Sequence, residues 1–251
     1  VGKYIMDTVG AGMGGEVPLL ENLQLQTEDG AGGAHVYVPW WLYQQQLAGK
    51  LDFARGYHIE FGTGRGMPGA STGAGMEWLT GGSYGRKFKE DARRYFGSFV
   101  YFGGRGEMIP NDNCFCELDP AVKDKWGLPV LRFHWKWSSH ELRQAAHQQR
   151  TFAAIIEAMG GKVQTPPADD PATILRPGGN VKHEVGGARM GNDAKNSVTN
   201  SFGQTWDVKN LFLTDGAPFC SNADKNPTLT IMALAWRAGD YLLDELRKGN
   251  L

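Results

Sequence analysis

Glycine is concentrated in clusters that divide this chain into short segments. The sequence has 35 glycines among 251 residues, about twice the roughly 7% that proteins average. Glycine tolerates tight turns and close approaches of the backbone that other residues resist. We therefore expect the chain to turn, or to pass close to something, at residues 10–15, 30–33, 62–85, 103–106 and 186–191.

Charge and hydropathy argue against two kinds of partner. The formal net charge is −1, with no long run of one sign, so the chain lacks the basic stripe that nucleic-acid binding requires. No segment approaches the roughly 20 apolar residues of a membrane-spanning helix. Residues 1–10 also lack the basic-then-apolar order of a secretory signal. We expect a soluble protein, cytoplasmic or periplasmic, with no nucleic-acid partner and no membrane span.

The cysteines predict neither a disulfide framework nor a metal site. Cys114 and Cys116 stand two apart on an extended segment, too close in sequence for an ordinary bridge, and Cys220 is left over. No paired cysteines or histidines stand near them at the spacing of metal ligands. We predict three reduced thiols and assign no metal.

Alternation of apolar and polar residues predicts an antiparallel sheet in the first half of the chain. The period-two pattern of half-buried strands occurs at residues 34–43 and 56–62. A short polar helix is predicted over 86–95, followed by strands at 97–104 and at Cys114–Leu118. These elements predict a meander of strands with a flanking helix.

A further strand and a long helix are predicted after residue 127. In residues 128–137, one face of the strand is apolar and the other is basic. Ser138 and Glu141 form a capping box, which opens a helix that Gly160 and Gly161 end. The apolar stripe of this helix contains Leu142, Ala145, Gln149, Phe152, Ile156 and Met159. Residues 163–180 are rich in proline and predict an irregular loop.

The last quarter of the sequence has the pattern of a different kind of sheet. Residues 208–216 are a compact apolar run ending in Asp215 and Gly216. Such a run is typical of a buried strand at the carboxyl edge of a parallel sheet, where open α/β folds bind ligands. Asn226 as cap and Pro227 at the first position open a final helix. Its predicted buried face carries Leu229, Met232, Trp236, Gly239, Leu243 and Leu246.

The predicted fold class is therefore α+β: an antiparallel sheet with flanking helices, plus a C-terminal strand and helix that belong to a doubly wound domain. The main part of that second domain is absent from this chain. Residues 62–71 resemble a dinucleotide-binding glycine fingerprint only superficially, because a proline stands where the helix should start. We expect either a binding module or the C-terminal portion of a longer protein.

Three ordered motifs carry a resemblance to a known family. They are HEVGGARMGND at 183–193, NLFLTDGAPF at 210–219 and NPTLTIMALAWRAGDYL at 226–242. In order and spacing they are similar to the C-terminal motifs of the glucose-methanol-choline (GMC) oxidoreductases. Residues 1–8 and 105–251 together resemble this family, and 9–104 are divergent.

The resemblance implies a domain organisation. Residues 1–8 would end a segment of the FAD-binding domain, and residues 9–182 would form the substrate-binding domain. Residues 183–251 would carry the catalytic loop and the C-terminal segment of the FAD-binding domain. The N-terminal flavin-binding portion would then be a missing partner of this chain.

The resemblance also implies a reaction, in which an FAD enzyme oxidises a CH–OH group of a sugar or polyol by hydride transfer to flavin N5. His183 matches the catalytic histidine and would be the base, since imidazole exchanges protons near neutral pH. Asn226 matches its partner and would hydrogen-bond the substrate oxygen. Oxygen, a quinone or a cytochrome-bearing partner would accept the electrons. The residues implied to contact FAD are Asp215, Gly216, Asn226, Pro227 and Thr228.

Each residue also has a purely structural explanation. His183 could be a satisfied structural histidine, Asn226 could only cap the final helix, and Asp215 could only form a turn before Gly216. For the whole chain, the alternative is a non-catalytic carbohydrate-binding module or a degenerate fragment that lacks the flavin half.

Overall fold

The computed structural model describes residues 1–22, 35–62 and 73–251. The chain forms two compact units, each built from separated stretches of sequence. Residues 1–9, 106–141 and 176–251 form the C-terminal unit, and residues 10–105 and 142–175 form the sheet unit. The first strand of the chain and its last helix thus belong to the same unit.

The secondary structure of the described residues alternates short strands with helices. The strands are β1 (Lys3–Met6), β2 (Gly12–Glu16), β3 (His35–Val38), β4 (Tyr57–Gly62), β5 (Phe99–Gly106), β6 (Phe115–Lys123), β7 (Pro129–His134), β8 (Lys162–Val163) and β9 (Val185–Gly187). The helices are α1 (Tyr43–Leu47), α2 (Gly73–Thr80), α3 (Gly85–Tyr95), α4 (Ser139–Ala158) and α5 (Thr228–Lys248).

The C-terminal unit contains a four-stranded antiparallel sheet in the order β7-β6-β1-β9. Strand β1 is central because it pairs with β6 on one side and with β9 on the other. The register places Lys3 opposite Phe115 of β6 and opposite Gly187 of β9, and Met6 opposite Val185. This pairing brings the first residues of the chain beside the histidine motif.

The sheet unit contains a five-stranded sheet in the order β3-β4-β5-β2-β8, with the β3–β4, β2–β5 and β2–β8 pairs antiparallel. Helix α4 supplies Phe152, Ala153 and Ile156 to one core with strand residues Met13, Ile59 and Phe102. The rings of Phe102 and Phe152 stack with centroids 5.9 Å apart. The antiparallel sheets with flanking helices confirm the predicted α+β class.

Helix α4 begins with the predicted capping box. The Ser138 hydroxyl accepts from the His140 amide at 3.2 Å, and Glu141 accepts from the Ser138 amide at 2.7 Å. Of the predicted stripe, Ala145, Phe152 and Ile156 are fully buried, whereas Met159 is 37% exposed. Met159 lies beyond the last helical residue, where Gly160 turns the chain with a φ of +71°.

Two of the predicted strands are shorter in the structure. The strand predicted over 34–43 stops at Val38, because Pro39 has no N–H to donate to a sheet. The strand predicted over 128–137 ends at His134. Its apolar face is not buried in this chain, since Phe133 is 63% exposed.

The strand predicted over 208–216 is absent from the described residues, which corrects that part of the expectation. This segment forms only an isolated bridge, between Gln204 and Phe212. Its backbone bonds to the preceding turn, with the Leu213 amide donating to the Gly203 carbonyl at 2.9 Å. An apolar run becomes a parallel strand only when neighbouring strands pair with it, and the described part of the chain supplies none.

Helix α5 is present as predicted, but its apolar face is exposed, which corrects the predicted burial. Leu229 is 79% and Trp236 77% exposed. The exposed apolar residues on this helix are Leu229, Met232, Trp236, Leu243 and Leu246, which we call the α5 stripe. Their spacings of three, four and seven residues place them on one side of the helix.

Two further expectations concern membrane spans and the glycine-rich segment 62–71. Within them, no helix is both long and apolar enough to cross a lipid bilayer. The glycine-rich segment 62–71 lies, from residue 63 onward, outside the described residues.

Candidate active site

His183 lies immediately before β9 and is held by three of its neighbours. Its amide donates to the Asp7 carboxylate at 3.1 Å, and its ring Nδ1 lies 3.1 Å from the Thr8 hydroxyl. Its carbonyl accepts from the Asn222 side chain at 3.2 Å. Asp7, Thr8 and Asn222 are all buried, whereas His183 is only half-buried. His183 is therefore held by three buried residues and retains access to solvent.

The sequence interpretation did not assign roles to Asp7, Thr8 and Asn222. Asp7 and Thr8 end the segment VGKYIMDT, which carried part of the family resemblance. Nothing in the local sequence links this segment to residue 183, because the contact comes from the pairing of β1 with β9. The polar pair Asp7 and Thr8, directly after a predominantly apolar segment, is the only signal that the sequence offers.

The segment after His183 pairs with the loop that contains Asp215 and Gly216. The Gly186 amide donates to the Gly216 carbonyl at 2.9 Å, and the Ala188 amide to the Ala217 carbonyl at 3.0 Å. The structure thus brings the histidine motif and the Asp215 motif side by side. The Asp215 carboxylate accepts from the Ala217 amide at 2.9 Å, so Asp215 has at least the turn-forming role.

Gly186 makes its closest approach to the protein's own backbone. Its φ is +89°, and a Cβ atom there would lie 2.3 Å from the Tyr4 carbonyl oxygen. Only glycine fits this position without a shift of β1. The neighbouring Gly187 also has a positive φ, +94°, but its nearest contact would be an ordinary 3.7 Å from Ile5.

Asn226 does not occupy the cap position of α5. The helix begins at Thr228, the cap position belongs to Pro227, and no side chain caps the helix there. The Ile231 amide bonds to the Pro227 carbonyl at 2.9 Å. Asn226 therefore stands one residue before the predicted place, and its side chain is exposed. No side-chain hydrogen bond caps the start of α5, so the structure adds no support to the capping-only explanation, and the role of Asn226 stays a prediction.

Asn226 and Pro227 line a cavity of about 290 Å³ at the start of α5. Its walls are Met190, Phe219, Cys220, Ser221, Asn222, Ala223, Lys225, Asn226, Pro227, Thr230 and Leu234. Asn222 connects this cavity to the His183 carbonyl. His183 is not among the residues that line it, and Asn222 is the lining residue that bonds to His183, at its carbonyl.

Asp215 and Gly216 line a different and larger cavity, of about 530 Å³. Its walls include Ile5, Phe133 and the backbone of β9. Four of the five predicted cofactor-contacting residues therefore line two cavities of the C-terminal unit, whereas Thr228 is among the lining residues of neither. Segment 183–190 borders both, through Glu184–Ala188 on one side and Met190 on the other.

The sequence has relatives of known function. It is 32% identical to 2-methyl-1,2-propanediol dehydrogenase of Mycolicibacterium austroafricanum over 96% of this chain and 41% of the relative. It is 29% identical to the fructose dehydrogenase large subunit of Gluconobacter japonicus over 99% of this chain and 42% of the relative. A gluconate 2-dehydrogenase flavoprotein of Pantoea cypripedii is 31% identical over 53% of this chain and 22% of its own length.

The fold is also similar to that of a solved structure. Formate oxidase of Aspergillus oryzae RIB40 matches with a TM-score of 0.61 at 12% identity, over 99% of this chain and 48% of that one. This chain therefore spans less than half the length of the first relatives it matches. A sequence profile of the GMC oxidoreductases matches residues 110–235, about half of the chain. On this match, and on the ordered motifs that surround His183, Asp215 and Asn226, the chain belongs to the GMC oxidoreductase family.

Proposed function

We propose that this chain is the C-terminal portion of an FAD-dependent oxidoreductase that oxidises a CH–OH group of a sugar or polyol. The observation that carries the proposal is the anchoring of His183. This half-buried residue is hydrogen-bonded at its backbone amide, at its backbone carbonyl and at its ring Nδ1. A catalytic base needs a fixed position and access to its substrate. A histidine with only a packing role needs neither.

His183 is the proposed base. Its unperturbed pKa of ~6.5 lets imidazole take the hydroxyl proton and return it near neutral pH. Removal of this proton builds negative charge on the substrate oxygen. This charge assists departure of the hydride from the carbon that bears the oxygen. Bound FAD supplies the acceptor for that hydride, at flavin N5.

Asn226 is the proposed partner of His183. An amide does not titrate, so it can donate a hydrogen bond to the substrate oxygen in every step of the reaction. Its exposure at the mouth of the 290 Å³ cavity is consistent with this role. The start of α5 adds backbone N–H groups without a side-chain cap, together with the partial positive charge of a helix N-terminus.

The residues of the C-terminal unit fit a flavin ring better than a whole dinucleotide. The cavity beside Asn226, Pro227 and Thr230 is at the lower end of the roughly 300–1,000 Å³ of ligand sites. The helix N-terminus is suited to a group that gains negative charge. Asp215, Gly216, Asn226, Pro227 and Thr228 would contact FAD, and the rest of the cofactor would need a further binding portion.

The α5 stripe supports the existence of that further portion. A helix that exposes Leu229, Met232 and Trp236 to water marks a surface that another segment covers. The relatives are more than twice the length of this chain, so they have residues to provide it. We propose that the flavin-binding portion packs on this stripe. A stand-alone carbohydrate-binding module would leave the stripe in water, so the stripe favours the enzyme.

The proposed substrate class rests on two observations. The relatives include enzymes named for a diol and for a sugar. In the sheet unit, Tyr37, Trp41 and Tyr101 are exposed, and flat aromatic faces of this kind can stack on the C–H face of a sugar ring. Oxygen, a quinone or a cytochrome-bearing partner would then reoxidise the flavin.

The direct test is anaerobic mixing of the full-length protein with a panel of sugars and polyols while flavin bleaching is recorded. We expect at least one polyol to bleach the wild type rapidly. His183→Ala should abolish bleaching and leave the bound-flavin spectrum intact, whereas the control His140→Ala should bleach normally. Rapid bleaching of His183→Ala would remove His183 from the mechanism.

Asn226 requires its own comparison. Asn226→Asp should slow bleaching, because a carboxylate opposes negative charge on the substrate oxygen. Asn113→Asp makes the same change of charge on an exposed loop and should have no effect. Equal rates in both variants and the wild type would contradict the role of Asn226.

A further inference from the structure

A buried pair at the end of β1 contacts the candidate base from two directions. Asp7 is 0% exposed, and its carboxylate accepts backbone N–H groups from Thr8 at 2.7 Å, His183 at 3.1 Å and Gly179 at 3.2 Å. Ionised carboxylates make the stronger, charge-assisted class of hydrogen bond. Asp7 therefore fastens both ends of the loop 179–183 to the end of β1.

Thr8 contacts the ring itself. It is also 0% exposed, and its hydroxyl lies 3.1 Å from His183 Nδ1. Because Thr8 is buried and its backbone N–H donates to the Asp7 carboxylate, its hydroxyl has little freedom to follow the ring. The ring must align with the hydroxyl instead.

The backbone beside His183 is strained, which is a second and independent observation. Lys182 has a φ of +66° although it is not a glycine. Such a conformation is unfavourable for a non-glycine residue and persists only where the surroundings impose it. The bonds from Asp7 to the amides of Gly179 and His183 are on either side of Lys182 and provide that constraint.

We propose that Asp7 and Thr8 are positioning residues for His183, with Asp7 fixing its backbone and Thr8 accepting from Nδ1–H so that Nε2 exchanges the substrate proton. The proposal rests on the proposed role of His183 as base. The Thr8 hydroxyl oxygen can accept from Nδ1–H both in the neutral ring and after Nε2 has taken the hydroxyl proton. One hydrogen bond thus orients the ring throughout the reaction. A hydrogen bond to the second ring nitrogen sets the tautomer of other active-site histidines in the same way.

The tautomer of His183 tests the proposal without any activity measurement. In full-length protein labelled with 15N-histidine, the His183 signals are assigned by their loss in His183→Asn. We expect the wild type to show Nδ1 protonated and Nε2 as the unprotonated nitrogen at neutral pH. A wild type in which Nε2 carries the proton would overturn the proposal, even if His183 proves to be the base.

Two variants of Thr8 separate positioning from packing. Thr8→Val keeps the shape and removes the hydroxyl, and we expect kcat for flavin reduction to fall on the order of tenfold, the effect of one hydrogen bond, with KM unchanged. Thr8→Ser restores the hydroxyl and should recover most of the rate and the Nδ1–H tautomer. Equal losses in both variants, or a change in KM alone, would overturn the role of Thr8.

Asp7→Asn tests the backbone anchor. We expect faster hydrogen exchange in a peptide containing residues 179–183, together with a lower kcat. Asp119→Asn is the matched control, because Asp119 also accepts two backbone N–H groups, from Ala121 and Val122, but in solvent-exposed hydrogen bonds within β6. Unchanged exchange at 179–183 in Asp7→Asn would overturn the anchoring role. If His183→Ala retains full activity while the tautomer is as expected, the proposed function fails and the contact geometry stands.

Discussion

The substitution Gly186→Ala tests how closely β1 and β9 approach each other, with Gly187→Ala as its matched control. Both glycines lie in β9, and both have a positive φ, +89° and +94°. A positive φ in a non-glycine residue destabilises the folded state by about 1–3 kcal/mol. Alanine also restricts the unfolded chain, which offsets about 0.4–1 kcal/mol of this loss. This contribution is shared by the two variants and cancels in their difference.

What remains is the contact that only Gly186 makes. Its new Cβ would lie 2.3 Å from the Tyr4 carbonyl oxygen, whereas real Cβ atoms essentially never come within 3.0 Å of another atom, so the backbone must shift by about 0.7 Å. The oxygen belongs to the β1 backbone and cannot rotate away. Overpacking of this kind costs about 1–3 kcal/mol, which is therefore the expected difference between Gly186→Ala and Gly187→Ala.

The free energies of unfolding are measured by urea titration of full-length wild type and both variants, with comparison of midpoints at equal slopes. Gly186→Ala should also slow flavin reduction, because the shift is transmitted to His183 three residues away. A difference in stability below about 0.5 kcal/mol between the two variants would refute the close approach of Gly186 to Tyr4.

Three further predictions concern buried polar groups. Burial, followed by the nearby Glu21 carboxylate, raises the pKa of Glu16 to about 7, above the ~4.3 of an unfolded glutamate. The contribution of Glu16 to stability is therefore complete below about pH 4.3 and is lost as the pH rises to 7. Glu16→Gln should remove up to about 3 kcal/mol of this loss, measured by urea titration across that pH range. Tyr57→Phe should cost about 1–2 kcal/mol, measured in the same way at pH 7, because the buried hydroxyl lies 2.8 Å from His147 Nδ1, and a neutral result would contradict that bond. Glu141→Gln should lower the urea midpoint by an amount equivalent to about 1–3 kcal/mol, since Glu141 is 1% exposed and accepts from the Ser138 and Ile109 amides; an unchanged midpoint would show that one amide oxygen is enough.

Local patterns predicted the elements whose partners lie within the described chain. Alternation located β4, and the Ser138 and Glu141 pattern located the start of α4. These signals work because periodicity and capping depend on neighbours a few residues apart. Pro39 was a visible signal for the end of β3 that the alternation alone did not reveal.

The errors occurred where the structure depends on distant segments. The apolar run at 208–216 was predicted as a strand, and the α5 stripe was predicted to be buried. A hydrophobic pattern indicates that a surface is suited to burial, but it does not indicate which segment buries it. The roles of Asp7, Thr8 and Asn222 were also inaccessible, because their contacts with His183 span 176, 175 and 39 residues of sequence.

The pairing of β1 with β9 also has a consequence for folding. Met6 pairs with Val185, so this edge of β1 has no partner there until the segment around residue 185 has been synthesised. Contacts between residues so far apart form late and slowly, because loop closure must precede them. A chain not yet synthesised to residue 185 exposes this unpaired strand edge, which is a site where chains associate wrongly. Completion of the histidine loop and closure of this edge are therefore one event, and the anchoring of His183 by Asp7 and Thr8 forms at the step that protects the chain from aggregation.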